Sequence, residues 1–324
     1  MRRFASPALL STITIILAAC VTPAVGETVY AVVFGNQKLL VGSSTLSSGL
    51  FRSTDDGETW SHLGIPNLKS FSMDADDTER GRRLYIAAGN GVHRSTDAGE
   101  SWRVVTDWRV TEVLDVRVDL RNRNTIWAAT AWGLWRSDNG GDLWRFVPLE
   151  EKRRPGRRGV IYSYRFASDG KRLLLLCDSA IVELPLRGRP RVVQPLPSPR
   201  AYRHTTFGAA IGAHPFFLVH LLLPRSPNRH VYDLLVDSST TPHSLLAAGD
   251  SGIHTVRLTS DPRWSDLTGS LPTRVVHGLA LTARRTLLAA TWGEGIWRRD
   301  RGNGRWSPSG LEGCQVWRIV VKPW

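Results

Sequence analysis

Two aspartates occupy equivalent places in two similar segments and could form an acid–base pair. Asp115 lies in TEVLDVRVD and Asp233 lies in HVYDLLVD, each within an alternating apolar and polar stretch. Two carboxyl groups held several ångströms apart are the catalytic pair of most glycoside hydrolases. If the fold brings both segments to one channel, Asp115 and Asp233 are the catalytic candidates. The alternative, which we favour, is two solvated acids on a polar channel wall.

A cluster of positive side chains could bind anions. The chain has 42 Lys and Arg against 29 Asp and Glu, a net charge of +13. The densest run is EEKRRPGRRG at 150–159. Such a loop would suit an acidic protein or anionic lipid headgroups, although an ordinary solvated face is the interpretation that we favour. The candidate binding residues are Lys152, Arg153, Arg154, Arg157 and Arg158.

Cysteine and histidine spacing predicts neither a metal site nor a cofactor. Cys177 and Cys314 lie far apart in the chain, and no CxxC or HxxxH motif accompanies them. Two distant cysteines in an exported protein could pair, but we expect them to be two small apolar core residues.

A short polar phrase that ends in tryptophan occurs three times, as RSTDDGETW, RSTDAGESW and RSDNGGDLW. Asp and Asn side chains accept backbone N–H groups in tight turns, glycine adopts angles that other residues avoid, and tryptophan buries a large apolar area. These properties favour a structural turn over a catalytic or metal-binding loop. The structural residues of the phrase are Ser53, Asp55, Gly57, Trp60, Ser95, Asp97, Gly99, Trp102, Ser137, Asn139, Gly141 and Trp144.

The closing tryptophans give the period of the repeat. Trp60, Trp102 and Trp144 follow one another at intervals of 42 residues, and the same interval separates Trp264 from Trp306. A fixed period of this length indicates a repeat architecture. Because each unit contains four short segments of strand composition, we predict an all-β fold, a seven-bladed β-propeller with four antiparallel strands per blade. Six or eight blades remain open.

Three stretches depart from the regular unit. Residues 160–194 keep the strand rhythm without the repeated phrase, which indicates a degenerate blade. Residues 200–229 are either an incomplete fifth blade or an insertion. The terminal stretch 314–324 has the pattern of a first strand, so we expect it to pair with the N-terminal blade and cover an exposed sheet edge.

Alignment of the first strands predicts which side chains line the central channel. A polar column contains both candidate acids. The aromatic column beside it is expected to pack in the core between blades, with a sugar-stacking platform as the alternative. The polar column is Ala31, Ser72, Asp115, Ser163, Asp233, Gly278 and Arg318, and the aromatic column is Tyr30, Phe71, Leu114, Tyr162, Tyr232, His277 and Trp317.

The N-terminus predicts export. MRRFASP is a positive region, and ALLSTITIILAA is an apolar segment too short for a normal membrane span. Small residues directly before Cys20 indicate a lipoprotein signal, so residues 1–20 form a signal peptide and Cys20 is lipidated. Cleavage after residue 26, giving a soluble secreted protein, is the alternative. Residues 28–324 then form a single propeller domain in the cell envelope or periplasm, where nucleic acid is not an expected partner.

The repeated phrases and their period resemble the BNR/Asp-box β-propeller superfamily over roughly residues 28–324. Within it, the chain is most similar to the photosystem II stability/assembly factor family. That resemblance implies a non-enzymatic, exported assembly protein with an arginine-rich patch for its client. Sialidases fit less well because the chain lacks an Arg-Ile-Pro tripeptide, and xyloglucan-cleaving glycosidases because they use two propellers.

We therefore expect an exported, lipid-anchored, monomeric propeller that binds another protein or an envelope complex as an assembly scaffold. It is not expected to be an enzyme. The alternative function is a glycan-active or glycan-binding propeller, similar to a glycosidase or sialidase, that uses the channel mouth.

Overall fold

The computed structural model describes most of the chain between residues 27 and 323. The described residues form six four-stranded antiparallel sheets, and none of them belongs to a helix long and apolar enough to cross a membrane. The described ranges are 27–36, 48–64, 68–76, 83–149, 163–168, 173–177, 180–195, 227–228, 231–237, 240–257, 259, 261–299 and 303–323.

The first sheet is built from both ends of the chain. The C-terminal strand is innermost, and three N-terminal strands follow it outwards. From the inside, the strands are β24 (Cys314–Pro323), β1 (Glu27–Asn36), β2 (Gly49–Ser53) and β3 (Ser61–His62). Pairing of β24 with β1 confirms the expected ring closure, because Val29 lies opposite Val321 and Ala31 lies opposite Ile319.

Each of the other five sheets uses four consecutive strands in chain order. The second sheet contains β4 (Ser70–Asp76), β5 (Arg83–Ala88), β6 (Gly91–Ser95) and β7 (Arg103–Val104). The third contains β8 (Val113–Val118), β9 (Ile126–Thr130), β10 (Gly133–Ser137) and β11 (Arg145–Val147). The fourth contains β12 (Ser163–Ser168), β13 (Leu173–Cys177), β14 (Ala180–Leu184) and β15 (Arg191–Pro195).

The last two sheets follow the same plan. The fifth contains β16 (Val231–Asp237), β17 (Ser244–Gly249), β18 (Gly252–Arg257) and β19 (Trp264–Asp266). The sixth contains β20 (Val276–Leu281), β21 (Leu287–Thr291), β22 (Ile296–Arg299) and β23 (Trp306–Pro308).

Neighbouring sheets pack face to face in a series that runs from the fifth sheet through the sixth, first, second and third to the fourth. Innermost strands of consecutive sheets contact one another, as β4 does with β8 and β20 does with β24. The second strands are consequently buried over most of their described length, and all five residues of β9 are buried. This explains why these strands read as short continuous apolar runs rather than as alternating ones. The arrangement is that of a β-propeller.

The predicted four-stranded blades are confirmed, but their predicted number is not. The degenerate unit at 160–194 does form a four-stranded sheet, β12 to β15. The described residues contain six sheets rather than the seven that we expected. Apart from Pro227 and Asn228, the stretch 200–229 lies outside the described residues. Cys314 is buried in the core between the sixth and first sheets, and the side chain of Cys177 lies outside the described set.

A bulge near the start of each inner strand corrects the predicted columns. The register shifts between Ser70 and Ser72 in β4 and between Val113 and Asp115 in β8. Ser163 was assigned to the polar column two residues too early. The register shift in β12 lies between Ser163 and Arg165, so Arg165 takes the column position. Ala31 and Tyr30 were misplaced for another reason: they lie in β1, the second strand of its sheet, because β24 takes the inner position. Tyr162 lies outside the described residues.

Candidate binding site at the channel mouth

The repeated phrase forms the turn between the third and fourth strands of the first three sheets. Ser53 Oγ donates to Asp55 Oδ1 at 2.7 Å and accepts the N–H of Gly57 at 2.8 Å. Asp55 Oδ1 also accepts the N–H of Thr59 at 2.9 Å. Trp60 Nε1 donates to the carbonyl of Ser309 in the sixth sheet at 2.6 Å. The turn therefore fastens one sheet to its neighbour.

The second and third copies repeat this geometry. Ser95 Oγ accepts the N–H of Gly99 and Ser137 Oγ accepts that of Gly141, both at 2.8 Å. Asn139 takes the aspartate's place, since its Oδ1 accepts the N–H of Leu143 at 2.9 Å. Two of the tryptophans also join sheets: Trp144 Nε1 donates to the Val105 carbonyl at 2.9 Å, and Trp102 packs in the core between the first and second sheets.

The carboxylates of these turns are committed to local hydrogen bonds. The hydroxyl and N–H of Ser101, followed by the hydroxyl of Ser95, lower the pKa of Asp97 from its ordinary value to about 2. Its lone pairs are therefore used within the turn. Among the described residues, no group of three or more His, Cys, Asp or Glu could hold a metal ion.

Asp115 is buried, contrary to the expected solvated wall. Its side chain is fully inaccessible and accepts hydrogen bonds from Ser72 Oγ and from the N–H of Phe166 at 2.9 Å. Arg318 Nη1 lies 3.0 Å from Asp115 Oδ1. Burial acts to raise the pKa of Asp115, but the charges of Arg318 and Arg117 and these hydrogen bonds hold it below its ordinary value. The carboxylate is thus an ionised structural anchor.

Asp233 has the same role two sheets further on. It is 8% exposed, and its Oδ2 accepts the N–H of Leu279 in the sixth sheet at 2.9 Å. An innermost strand is a sheet edge with unpaired N–H groups, and buried backbone donors need partners. Asp115 and Asp233 supply those partners to the next sheet. The structure does not bring the two into one cavity as a catalytic pair.

A third buried acid, Asp74, adds further ion pairs near Asp115. Asp74 is inaccessible and forms ion pairs with Lys322 and with Arg117, the latter at 3.6 Å. Its Oδ2 accepts the N–H of Val118 at 2.8 Å. Burial opposes ionisation, but the charges of Lys322 and Arg117 lower the pKa of Asp74 below its usual range. The C-terminal strand is therefore held by ion pairs to the second and third sheets.

The aromatic column meets the expected core packing in part, because Tyr30 is buried between the first and second sheets and Trp317 packs against the same cluster, whereas the bulge leaves other rings at the edge of the core. An extra residue in a strand re-aims its side chain. Phe71, Tyr232, His277 and Trp317 occupy the bulged position, and all four are half-buried. Phe34, near the end of β1, and Trp292, directly after β21, are half-buried as well.

These six residues, which we call the mouth cluster, form one continuous aromatic surface. The rings of Tyr232 and His277 stack with centroids 4.3 Å apart and an interplanar angle of 4°. His277 also lies 4.7 Å from Trp292 and 4.9 Å from Trp317. The surface spans the fifth, sixth, first and second sheets. Phe34 extends it, with centroid distances of 6.0 Å to Trp292, 6.2 Å to Trp317 and 6.4 Å to Phe71.

Two further tryptophans lie at the same end of the sheets. Inner strands begin there and second strands end there, because neighbouring strands are antiparallel. Trp132 lies in the turn after β9 and is 59% exposed, and Trp108 lies in the segment before β8 and is 84% exposed. The Glu112 N–H donates to Gly89 O at 2.8 Å, and Ala131 N–H donates to Glu112 O at 3.1 Å, which ties that segment to the turns beside it.

Sequence reasoning missed four of these aromatic residues. Phe34, Trp108, Trp132 and Trp292 lie outside the aligned first strands. A usable signal was the tryptophan in TAWG and TWGE, where the turn between the second and third strands would otherwise be polar. The other predicted binding residues, Lys152, Arg153, Arg154, Arg157 and Arg158, lie outside the described residues, as does Cys20.

Comparison with known proteins supports the fold alone. No family model matches the sequence, and no curated protein matches it. A solved chain of the nidogen/laminin complex aligns with a TM-score of 0.51 at 8% identity, covering 91% of this chain and 98% of that one.

Two other solved structures align less closely. The extracellular domain of a hybrid two-component system from B. thetaiotaomicron gives a TM-score of 0.43 at 13% identity over 76% of this chain. This chain spans only 28% of that protein's length. YCF48 bound to D1 peptide gives a TM-score of 0.40 at 12% identity, covering 80% of this chain and 74% of that one.

Proposed function

We propose that this protein is an exported, lipid-anchored, non-enzymatic propeller that binds a protein partner at the channel mouth. The observation that carries the proposal is the continuous aromatic surface of the mouth cluster, flanked by the exposed Trp108 and Trp132. Burial of Asp115 and Asp233 in structural hydrogen bonds argues against the acid–base alternative at those residues.

The chemistry of the surface suits protein recognition. Trp and Tyr are enriched among residues that dominate protein interfaces, since each buries a large area with few rotatable bonds. Exposed apolar groups clustered at one end of a domain indicate an interaction site. Trp108 and Trp132 differ from the box tryptophans in this respect, because Trp60, Trp102 and Trp144 are only partly exposed within turns that fasten neighbouring sheets.

The test is capture of a partner from the native envelope by the wild type and by a Trp108→Ala/Trp132→Ala variant. We expect the variant to lose most of the captured partner, since removal of one interface anchor costs about 2 kcal/mol or more. Leu143→Ala is the matched control, because Leu143 is 74% exposed but lies in a box turn at the opposite end of the sheets. Equal capture by all three proteins would contradict the proposal.

Glycan binding at the same mouth is the second candidate, because flat aromatic faces also stack against sugar rings. Tyr232→Ala and Trp292→Ala in a glycan-binding assay distinguish the two functions. Binding of a purified glycan that both substitutions abolish would favour the glycan candidate over the protein partner. Hydrolysis of a glycan that depends on Asp115 or Asp233 would contradict both binding functions and indicate a glycoside hydrolase.

We also propose the finer sequence predictions that the described residues do not test. These are membership of the BNR/Asp-box superfamily, a ring of seven blades with residues 200–229 as either an incomplete fifth blade or an insertion, lipidation of Cys20, and partner or lipid contact by the basic loop. Unchanged membrane fractionation of Cys20→Ala would exclude the anchor. Unchanged partner capture after charge reversal at Arg153, Arg154, Arg157 and Arg158 would exclude the loop.

A further inference from the structure

A cavity lies between the fifth and sixth sheets, which both lack the repeated polar phrase. Its volume is about 220 Å³. The cavity lies near the end of β16 and the start of β17, at the opposite end of the sheets from the mouth cluster, so it is independent of the proposed partner site. Its apolar wall consists of Leu235, Leu246, Leu267, Leu281 and Leu287. We call it the leucine cavity.

The second and third sheets carry an aromatic residue opposite an arginine at the corresponding cross-strand position. Tyr85 lies opposite Arg94 in the second sheet, and Trp127 lies opposite Arg136 in the third. Tyr85 Oη and Arg94 Nη1 donate to the Gly140 carbonyl of the next sheet at 2.9 and 2.5 Å. These long side chains therefore occupy the space between neighbouring sheets.

The fifth sheet lacks this filling pair. At the corresponding cross-strand position, Leu246 lies opposite Thr255, and both residues line the cavity. Leucine is smaller than tyrosine or tryptophan, and threonine is much shorter than arginine. The cavity thus lies where the second and third sheets place their aromatic–arginine pairs.

The polar side of the cavity contains two arginines, Arg285 and Arg299, one acid, Asp237, and the hydroxyls of Ser244 and Thr255. Arg299 precedes Trp306 by the same spacing as Ser53 precedes Trp60, so an arginine replaces the serine of the repeated turn. Arg299 Nε is buried, and among the described residues it has no hydrogen-bond partner. Arg285 also lines the cavity, but its Nη2 is paired with Asp237 Oδ1 at 2.5 Å. A buried donor without a partner is costly, and an anion beside Arg299 would remove that cost.

We propose that the leucine cavity binds a small amphipathic carboxylate. The hydrocarbon part lies against the five leucines, and the carboxylate accepts hydrogen bonds from Arg299. A planar guanidinium matches a carboxylate in geometry and charge, whereas an alcohol gains less and a cation is repelled. Each buried methylene strengthens binding, so the apolar body contributes as well as the charge.

The test measures binding of octanoate to the purified full-length protein, by calorimetry and by the NMR shifts of leucine methyl groups. Acetate and 1-octanol are the comparison ligands, since each presents only one half of the proposed chemistry. We expect octanoate to bind at least tenfold more tightly than either. Arg299→Gln should weaken octanoate at least tenfold, because a hydrogen bond to a charged group is worth roughly 1.5 kcal/mol or more.

A second variant fills the cavity with the pair that the neighbouring sheet uses. Leu246→Tyr/Thr255→Arg copies Tyr85 and Arg94, and we expect it to fold with an unchanged melting temperature and to lose octanoate binding. If it melts lower, Leu246→Phe provides a smaller filling for the same measurement. The proposal is overturned if the wild type does not bind octanoate, if 1-octanol binds as tightly, or if the filled cavity still binds.

Discussion

Replacement of Asp115 by alanine tests whether this acid is structural. The substitution would leave Arg318 without its partner at 3.0 Å, although the Arg318 side chain is only 10% exposed. It would also leave the N–H of Phe166 without its acceptor at 2.9 Å. Removing one partner of a buried ion pair typically costs about 3–5 kcal/mol, because the remaining charge stays buried.

We expect a loss of this size in the free energy of unfolding of Asp115→Ala, measured by denaturant titration. At about 2–4 °C per kcal/mol, the melting temperature would fall by roughly 6–20 °C. Glu58→Ala is the control, since Glu58 forms an exposed pair with Arg298 at 2.8 Å and such pairs contribute about 0–1 kcal/mol. An Asp115→Ala protein as stable as Glu58→Ala would refute the anchoring role.

The pH dependence gives an independent check on the same residue. The folded-state pKa of Asp115 is lowered, so its stabilising contribution is complete above the unfolded value of about 3.9. That contribution is lost as the pH falls through the lower folded-state pKa. The stability difference between the wild type and Asp115→Asn should therefore stay constant from neutral pH to about pH 4 and narrow only below it. A difference that narrows near pH 6 would mean that the carboxyl is protonated in the folded protein.

Two further predictions concern the repeated turn. Gly99 has a φ of 98°, and a Cβ there would lie 3.1 Å from Leu63, so Gly99→Ala should cost about 1–3 kcal/mol in chemical denaturation. Gly89→Ala, where a Cβ would meet nothing within 4 Å, should change stability by less than about 0.5 kcal/mol, and equal losses would contradict the turn geometry. The Asp97 carboxyl should titrate near pH 2 by NMR, and Ser101→Ala should raise its pKa towards about 3.9. A wild-type midpoint near 4 would exclude these hydrogen bonds.

Much of the fold could be predicted from local signals. The interval of 42 residues between tryptophans, the four strand-like segments per unit and the C-terminal first-strand pattern all appear in the sequence as short-range regularities. Turn chemistry is local too, since Ser53, Asp55 and Gly57 bond to one another within five residues. Pairing of β24 with the N-terminal blade was likewise predicted, but its inner position was not, because the alignment of first strands placed Ala31 and Tyr30 there.

The candidate site could not be predicted in the same way. Successive side chains of a strand point to opposite faces, so the sequence alone assigns each residue to a face. A bulge at the start of the inner strands adds one residue and reverses that assignment for the residues before it. That shift turned Tyr232 and His277 towards each other and left Asp115 buried against Phe166. Phe34 and Trp292 join the same surface from second strands, which no single-strand pattern connects.

The sequence alone therefore determined the repeat, the strand content, the fastening turns and the closure of the ring, because neighbouring residues encode each of them. Tertiary structure alone decided whether polar groups are buried or accessible, because that depends on which strand of the next sheet lies opposite. Asp115 is an anchor because the Phe166 N–H and the Arg318 guanidinium meet it across sheet boundaries. The leucine cavity lies where Leu246 and Thr255 take the place of the larger aromatic–arginine pairs of the second and third sheets.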